Sequence, residues 1–254
     1  MGTVVAFLGP TLRRDNAILR LDAICCPPAE QGDIVRAVLS MQAAVIVLID
    51  GVFAQAPAIR HKEILWALAR GVHVVGAGSM GALRAAELHP FGMQGHGLVY
   101  RWYRVTPLAD DDEVAVAMMP RELGSHALSE ALINIRLTLR KAERAGIITQ
   151  ELRQSLGEIA RSLHFVDRTY QVLFQRACIL LPEEQRMPIE PLKDWICTNA
   201  VDQKRIDAVG LLRRIVSERD ALLATRHDPT FSFRMTEAWA ADLDTAGLYG
   251  PDIL

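Results

Sequence analysis

From residue 3 to about residue 105, short apolar runs at 4–8, 23–26, 44–49 and 72–77 alternate with segments at 11–20, 30–41, 57–70 and 80–88 whose apolar residues recur at helical spacing. A strand that is apolar throughout is buried on both faces, so this alternation predicts an α/β fold, a parallel sheet with helices on both faces. Beyond about residue 125 the period becomes 3.6: Leu128/Leu132/Ile135/Leu139, then Leu152/Leu156/Ile159/Leu163, then Val172/Leu173/Ala177, then Val209/Leu212/Ile215/Val216, with Gly146, Asp167 and Pro182 as breaks. That half reads as mainly α-helical. The expected division is a core carrying the site over 1–120, a helical region over 121–226, and a turn-rich tail over 227–254 that wraps the surface.

In an open parallel sheet with right-handed crossovers, functional groups gather at the carboxyl edge, where strands end and helices begin. The first strand ends in Gly9-Pro10-Thr11 and the third in Asp50-Gly51, followed by a helix near Pro57 that carries His61-Lys62-Glu63. The fourth strand ends in Gly76-Ala77-Gly78-Ser79-Met80-Gly81. If the helix from Pro57 starts at this edge, Lys62 lies within about two turns of it and its long stem reaches toward Ser79.

The turn after the fourth strand supports two chemistries. Gly76, Gly78 and Gly81 spell the G-x-G-x-x-G of a dinucleotide cradle, with a strand before and a helix after. That fingerprint belongs to the first strand-helix turn, with an acid about 20 positions further on. Here the turn follows the fourth strand, and no acid stands where the fingerprint needs one before Asp110. Ala77-Gly78-Ser79-Met80-Gly81 also approximates the G-x-S-x-G nucleophile mount, in which the backbone N–H groups of Met80 and Gly81 at the helix start would hold an oxyanion. A lysine desolvated against the sheet edge is a base for such a serine, and Lys62 is the candidate. Blander readings fit the same residues: Ser79 as a helix N-cap, Lys62 as a solvated lysine, Asp50-Gly51 as a turn, Arg84 and Glu87 as a helix pair, and Asp110 to Glu113 as a helix-capping acidic run.

Composition narrows the classes. A chain of 254 residues with net charge −2 has the length for a substantial core and no broad basic footprint, so nucleic acid is not expected as a partner. No apolar stretch reaches the roughly 20 residues that span a bilayer, and no signal peptide is read at the start, so no membrane association is expected and a cytoplasmic location is. Cys25, Cys26, Cys178 and Cys197 show neither CxxC nor zinc-ligand spacing, so reduced thiols and no metal are expected.

The stretches FLGPTL, PPAEQGDIVRAV, VIVLIDGVFAQAPAIRHKEILWALARGVHVVGAGSMGALRAAEL, FGMQGHGLVYRWYR and DDDEVAV, in this order over about residues 4–118, together resemble the core domain of the TfuA family. VDQKRIDAVGLLRR in the helical half resembles it more loosely. The resemblance implies a partner of a YcaO enzyme in peptide-backbone thioamidation. The YcaO enzyme uses ATP to activate the amide of a peptide or protein substrate, and the TfuA-like protein needs no cofactor of its own. It further implies a Ser-Lys hydrolase site that releases sulfide from a thiocarboxylated, ubiquitin-like sulfur carrier of the ThiS type. Carried onto this chain, the serine is Ser79 and the lysine Lys62. Met80, Gly81 and Gly9 are expected around the oxyanion, and Asp50, Gly78, His61 and Glu87 along the site. A docking protein without catalysis and a nucleotide-binding regulator are the competing classes.

Overall fold

The computed structural model describes residues 2–12, 22–53, 56–106 and 109–248. Most of the helix expected over 11–20 lies outside these residues. The chain divides into two compact units, one formed by residues 1–109 together with 205–254 and the other by 110–204.

In the first unit, strands β1 (Thr3–Phe7), β2 (Ile24–Cys26), β3 (Ala43–Leu48), β4 (His73–Ala77) and β5 (Gln94–His96) form one parallel sheet in the order β2-β1-β3-β4-β5. The order reverses between β1 and β3, which opens a crevice over their carboxyl ends. Helices α1 (Asp33–Ser40), α2 (His61–Ala69), α3 (Met80–Leu88) and α4 (Gly97–Val105) follow successive strands from β2 onward. β5 was not expected from the sequence: Gln-Gly-His carries no apolar run, and this three-residue edge strand is held by its pairing with β4 and by Arg214, which donates to Gln94 Oε1 at 2.9 Å.

Alternate residues of β1, β3 and β4 enter two different cores. Val5, Phe7, Ile46, Leu48 and Val74 pack with α1, α2 and α3. Val4, Ala6, Leu8, Val45, Val47, Ile49, Val75 and Ala77 pack with Ala208, Leu211, Leu212 and Ile215. Those last four lie on α10 (Gln203–Ala224), placed by the sequence reading in the helical region. From Arg205 onward α10 belongs to the α/β unit, because its apolar stripe covers the second face of the sheet. The tail also differs from expectation. Within it α11 (Glu237–Thr245) inserts Trp239 and Leu243 into the first core. Its far end is tied by Gln31 Nε2 to Asp242 O at 3.1 Å and by Arg36 to Ala246 O at 2.6 Å.

The second unit packs α5 (Leu132–Arg144), α6 (Gln150–Ser162), α7 (Tyr170–Leu180) and α9 (Ile189–Asn199), with the short α8 (Glu183–Arg186), around stripe positions such as Ile135, Leu139, Leu156, Leu173 and Leu192. Leu128 stays outside this stripe and is exposed, since the helix starts only at Leu132. The acidic run does not cap a helix. Asp110 pairs with Arg161 at 2.7 Å, Asp112 with the fully buried Arg168 at 2.6 Å, and Glu113 with Arg136 at 3.0 Å. Arg168 also donates to Ala160 O and Leu163 O, so one buried cation ties three segments of this unit together. Among the described residues no helix is long and apolar enough to cross a membrane.

Trp239 and Glu63 make the stability of the α/β unit testable. Trp239→Ala should cost about 3–5 kcal/mol in denaturant unfolding, as for a core tryptophan, although it lies in the expected tail. Glu63 is buried and accepts from Gly32 N–H at 2.8 Å and Arg60 N–H at 3.1 Å, joining the starts of α1 and α2. Burial pushes its carboxyl up from 4.5 to about 7, against the pull of these N–H groups. Between those values the folded chain keeps a proton that the unfolded chain has released, so stability should fall as pH rises through this window and level off above it. The loss is on the order of 3 kcal/mol. Melts between pH 4 and 8 should show this slope in the wild type and its loss in Glu63→Gln.

Candidate active site

Two glycines decide the shape of the turn after β4. A Cβ on Gly81 would collide with Leu48 O, and a Cβ on Gly76 with Gly81 O, so α3 starts with its backbone pressed on β3 and β4. Gly78 between them takes a positive φ of 71°, a left-handed conformation that glycine adopts at little cost. This contact accounts for Gly76 and Gly81 through packing, without a nucleotide.

Ser79 occupies the N-cap position of α3, but its Oγ accepts no capping hydrogen bond from the helix. It is 7% exposed. The N–H groups on either side of it, those of Gly78 and Met80, have no backbone partner among the described residues. A hydroxyl released from capping, between two unengaged N–H donors at a helix N-terminus, is an arrangement suited to a nucleophile and its oxyanion. Two expected oxyanion donors are otherwise engaged. Gly81 N–H donates to Ile49 O at 3.1 Å, because the close approach of α3 brings that carbonyl over it. Gly9 N–H donates to Asp50 Oδ2 at 2.9 Å.

Asp50 is buried at the end of β3 and gathers the loop after β1. Besides Gly9 N–H, its carboxylate accepts from Thr11 N–H at 3.1 Å and Thr11 Oγ1 at 2.6 Å. It shapes the crevice where the strand order reverses, and its role here is to hold that loop.

Lys62 and His61 open α2, and the structure sends them to different partners. His61 Nε2 meets Glu87 Oε2 at 2.9 Å, and Arg84 donates to the same oxygen at 2.6 Å, so the expected Arg84–Glu87 pair forms and takes in a third member. Burial raises the Glu87 carboxyl, but the bonds from His61 and Arg84 outweigh it and hold the group below its ordinary value. Lys62 Nζ donates to Arg234 O at 3.0 Å and lies 4.9 Å from the centroid of the Phe233 ring. Among the described residues no hydrogen bond joins Lys62 to Ser79.

Sequence reasoning missed His96 and Asp207. His96 ends β5 in register with Ala77, which brings a half-buried imidazole to the strand end beside the serine turn. Burial lowers its pKa, with Asp207 pulling the other way. Asp207, on α10, accepts from Val99 N–H at 2.7 Å and so caps α4 from another element. Gly97, with φ of 93°, leaves room for that carboxylate. The available signal was a histidine between two glycines, Gly95 and Gly97, ahead of a helical pattern.

The helical unit has its own concavity, an open and mostly apolar cavity of about 870 Å³ between α7 and α9, lined in part by Tyr170, Phe174, Cys178, Ile179, Ile196 and Cys197.

Residues 50–169 match the family model described as TfuA-like protein. The matched span includes Asp50, His61, Lys62, Gly78, Ser79 and Glu87, while Gly9 precedes it. No curated protein matches the chain.

Proposed function

The match over residues 50–169 assigns the chain to the TfuA family, the YcaO-associated partners, and from that premise we propose that it hydrolyses a thiocarboxylated ThiS-type carrier protein to supply sulfide for peptide-backbone thioamidation. The observation that carries this reading is Ser79, placed where a helix cap belongs and yet making no capping bond, with two N–H groups beside it that have no backbone partner among the described residues. Ser79 Oγ attacks the thiocarboxylate carbon while Lys62 takes its proton, and the N–H groups of Gly78 and Met80 receive the oxyanion. As the C–S bond breaks, Lys62 returns that proton to sulfur and hydrosulfide leaves. Water then hydrolyses the Ser79 ester, giving the carrier carboxylate and regenerating the hydroxyl. The site uses no cofactor of its own, ATP being consumed by the YcaO enzyme. That enzyme, the carrier and the peptide or protein substrate are the partners.

A second reading, docking without catalysis, draws on the open apolar cavity of the helical unit. The two readings separate in one assay. Purified protein is mixed with the thiocarboxylated carrier, and sulfide and carrier mass are followed. The hydrolase reading expects Ser79→Ala to fall to the level of buffer and Lys62→Ala to lose about 10²–10⁴-fold, with both variants folded. Docking alone expects the wild-type protein and both variants alike to stay at the level of buffer.

A further inference from the structure

The amine that the proposed mechanism needs as a base is held by the chain's own C-terminal segment. Between α10 and α11 this segment has no regular secondary structure, and it is pinned at intervals. His227 N–H donates to Gly71 O at 2.9 Å, Phe231 packs edge-on against Phe91 at 5.6 Å, and Phe233 packs edge-on against Trp239 at 5.9 Å. Phe233 and Arg234 then present Lys62 with a ring face and a main-chain carbonyl, the contacts an extended peptide would make there.

Resting on the reading of Lys62 as the base for Ser79, we propose that residues 231–234 are a placeholder on the Lys62 site, displaced by the extended, anionic C-terminal tail of the carrier. The physical reason is the kind of acceptor each occupant offers. A hydrogen bond from the Lys62 amine to an anionic group is shorter and stronger than one to a neutral carbonyl. Arg60 pairs with Asp242 and Arg84 with Glu87, so of these three basic side chains Lys62, held by a neutral carbonyl and a ring, is the one bonded to no carboxylate among the described residues. The segment returns when the product leaves, so each turnover exchanges one extended chain for another.

The test weakens the placeholder without emptying its packing. Phe233→Leu keeps an apolar side chain against Trp239 and removes the ring from Lys62, and Phe233→Ala removes more. A ring–ammonium contact at an exposed site corresponds to about two- to fivefold in binding, so both variants should lower KM for the thiocarboxylated carrier by about that factor at unchanged kcat. In parallel, 4-fluorophenylalanine at position 233 should report a fluorine resonance that moves toward its solvent position on saturation with the carboxylate form of the carrier, and stays in place with a carrier lacking its tail. An unchanged or raised KM in both variants, or a fluorine signal unmoved by bound carrier, overturns the placeholder while wild-type sulfide release leaves the hydrolase reading intact. A wild-type protein that neither binds nor cleaves the carrier overturns both.

Discussion

The close approach of α3 to β3 and β4 is the constraint on which the site depends. Because Gly76 and Gly81 carry no side chain, the helix backbone reaches the Leu48 carbonyl, and Gly81 N–H is committed to Ile49 O. A helix so tightly seated begins abruptly. Its N-cap serine makes no capping bond, and the donors on either side of that serine have no backbone partner among the described residues. A side chain at either glycine would lift α3 from the sheet and move Ser79, Gly78 and Met80 together.

The sheet beneath is a second constraint. Its strands β1, β3 and β4 alternate between two cores, so each face needs a cover, and the cover for one face arrives only with α10. The returning chain then supplies Asp207 to α4, Trp239 to the first core and Arg234 O to Lys62. The surroundings of the candidate site are therefore drawn from both ends of the sequence, although its central residues lie within a short span.

What the sequence made legible follows from the range of the forces involved. Continuous apolar runs marked β1, β3 and β4, and the turn between β4 and α3 marked Ser79, because burial and glycine packing leave a local signature. β5 left none, since an edge strand of three polar or small residues is held by backbone pairing. The 3.6 period identified α10 as a helix but carried no information on which core its stripe would enter. Asp50 and Gly81 were placed at the right edge, and their hydrogen-bond partners were not legible, because partner choice is set by contacts remote in sequence: Gly9 and Thr11 for Asp50, Ile49 for Gly81.

The chain order of the two units gives the helical one a particular standing. Residues 110–204 enter after α4 and leave within α10, so they interrupt a unit whose sheet needs residues on both sides of them. They also hold their own core, with Arg168 and the acidic run tying their segments together. Among the described residues, neither of the two cores that cover the sheet draws a buried residue from this inserted span.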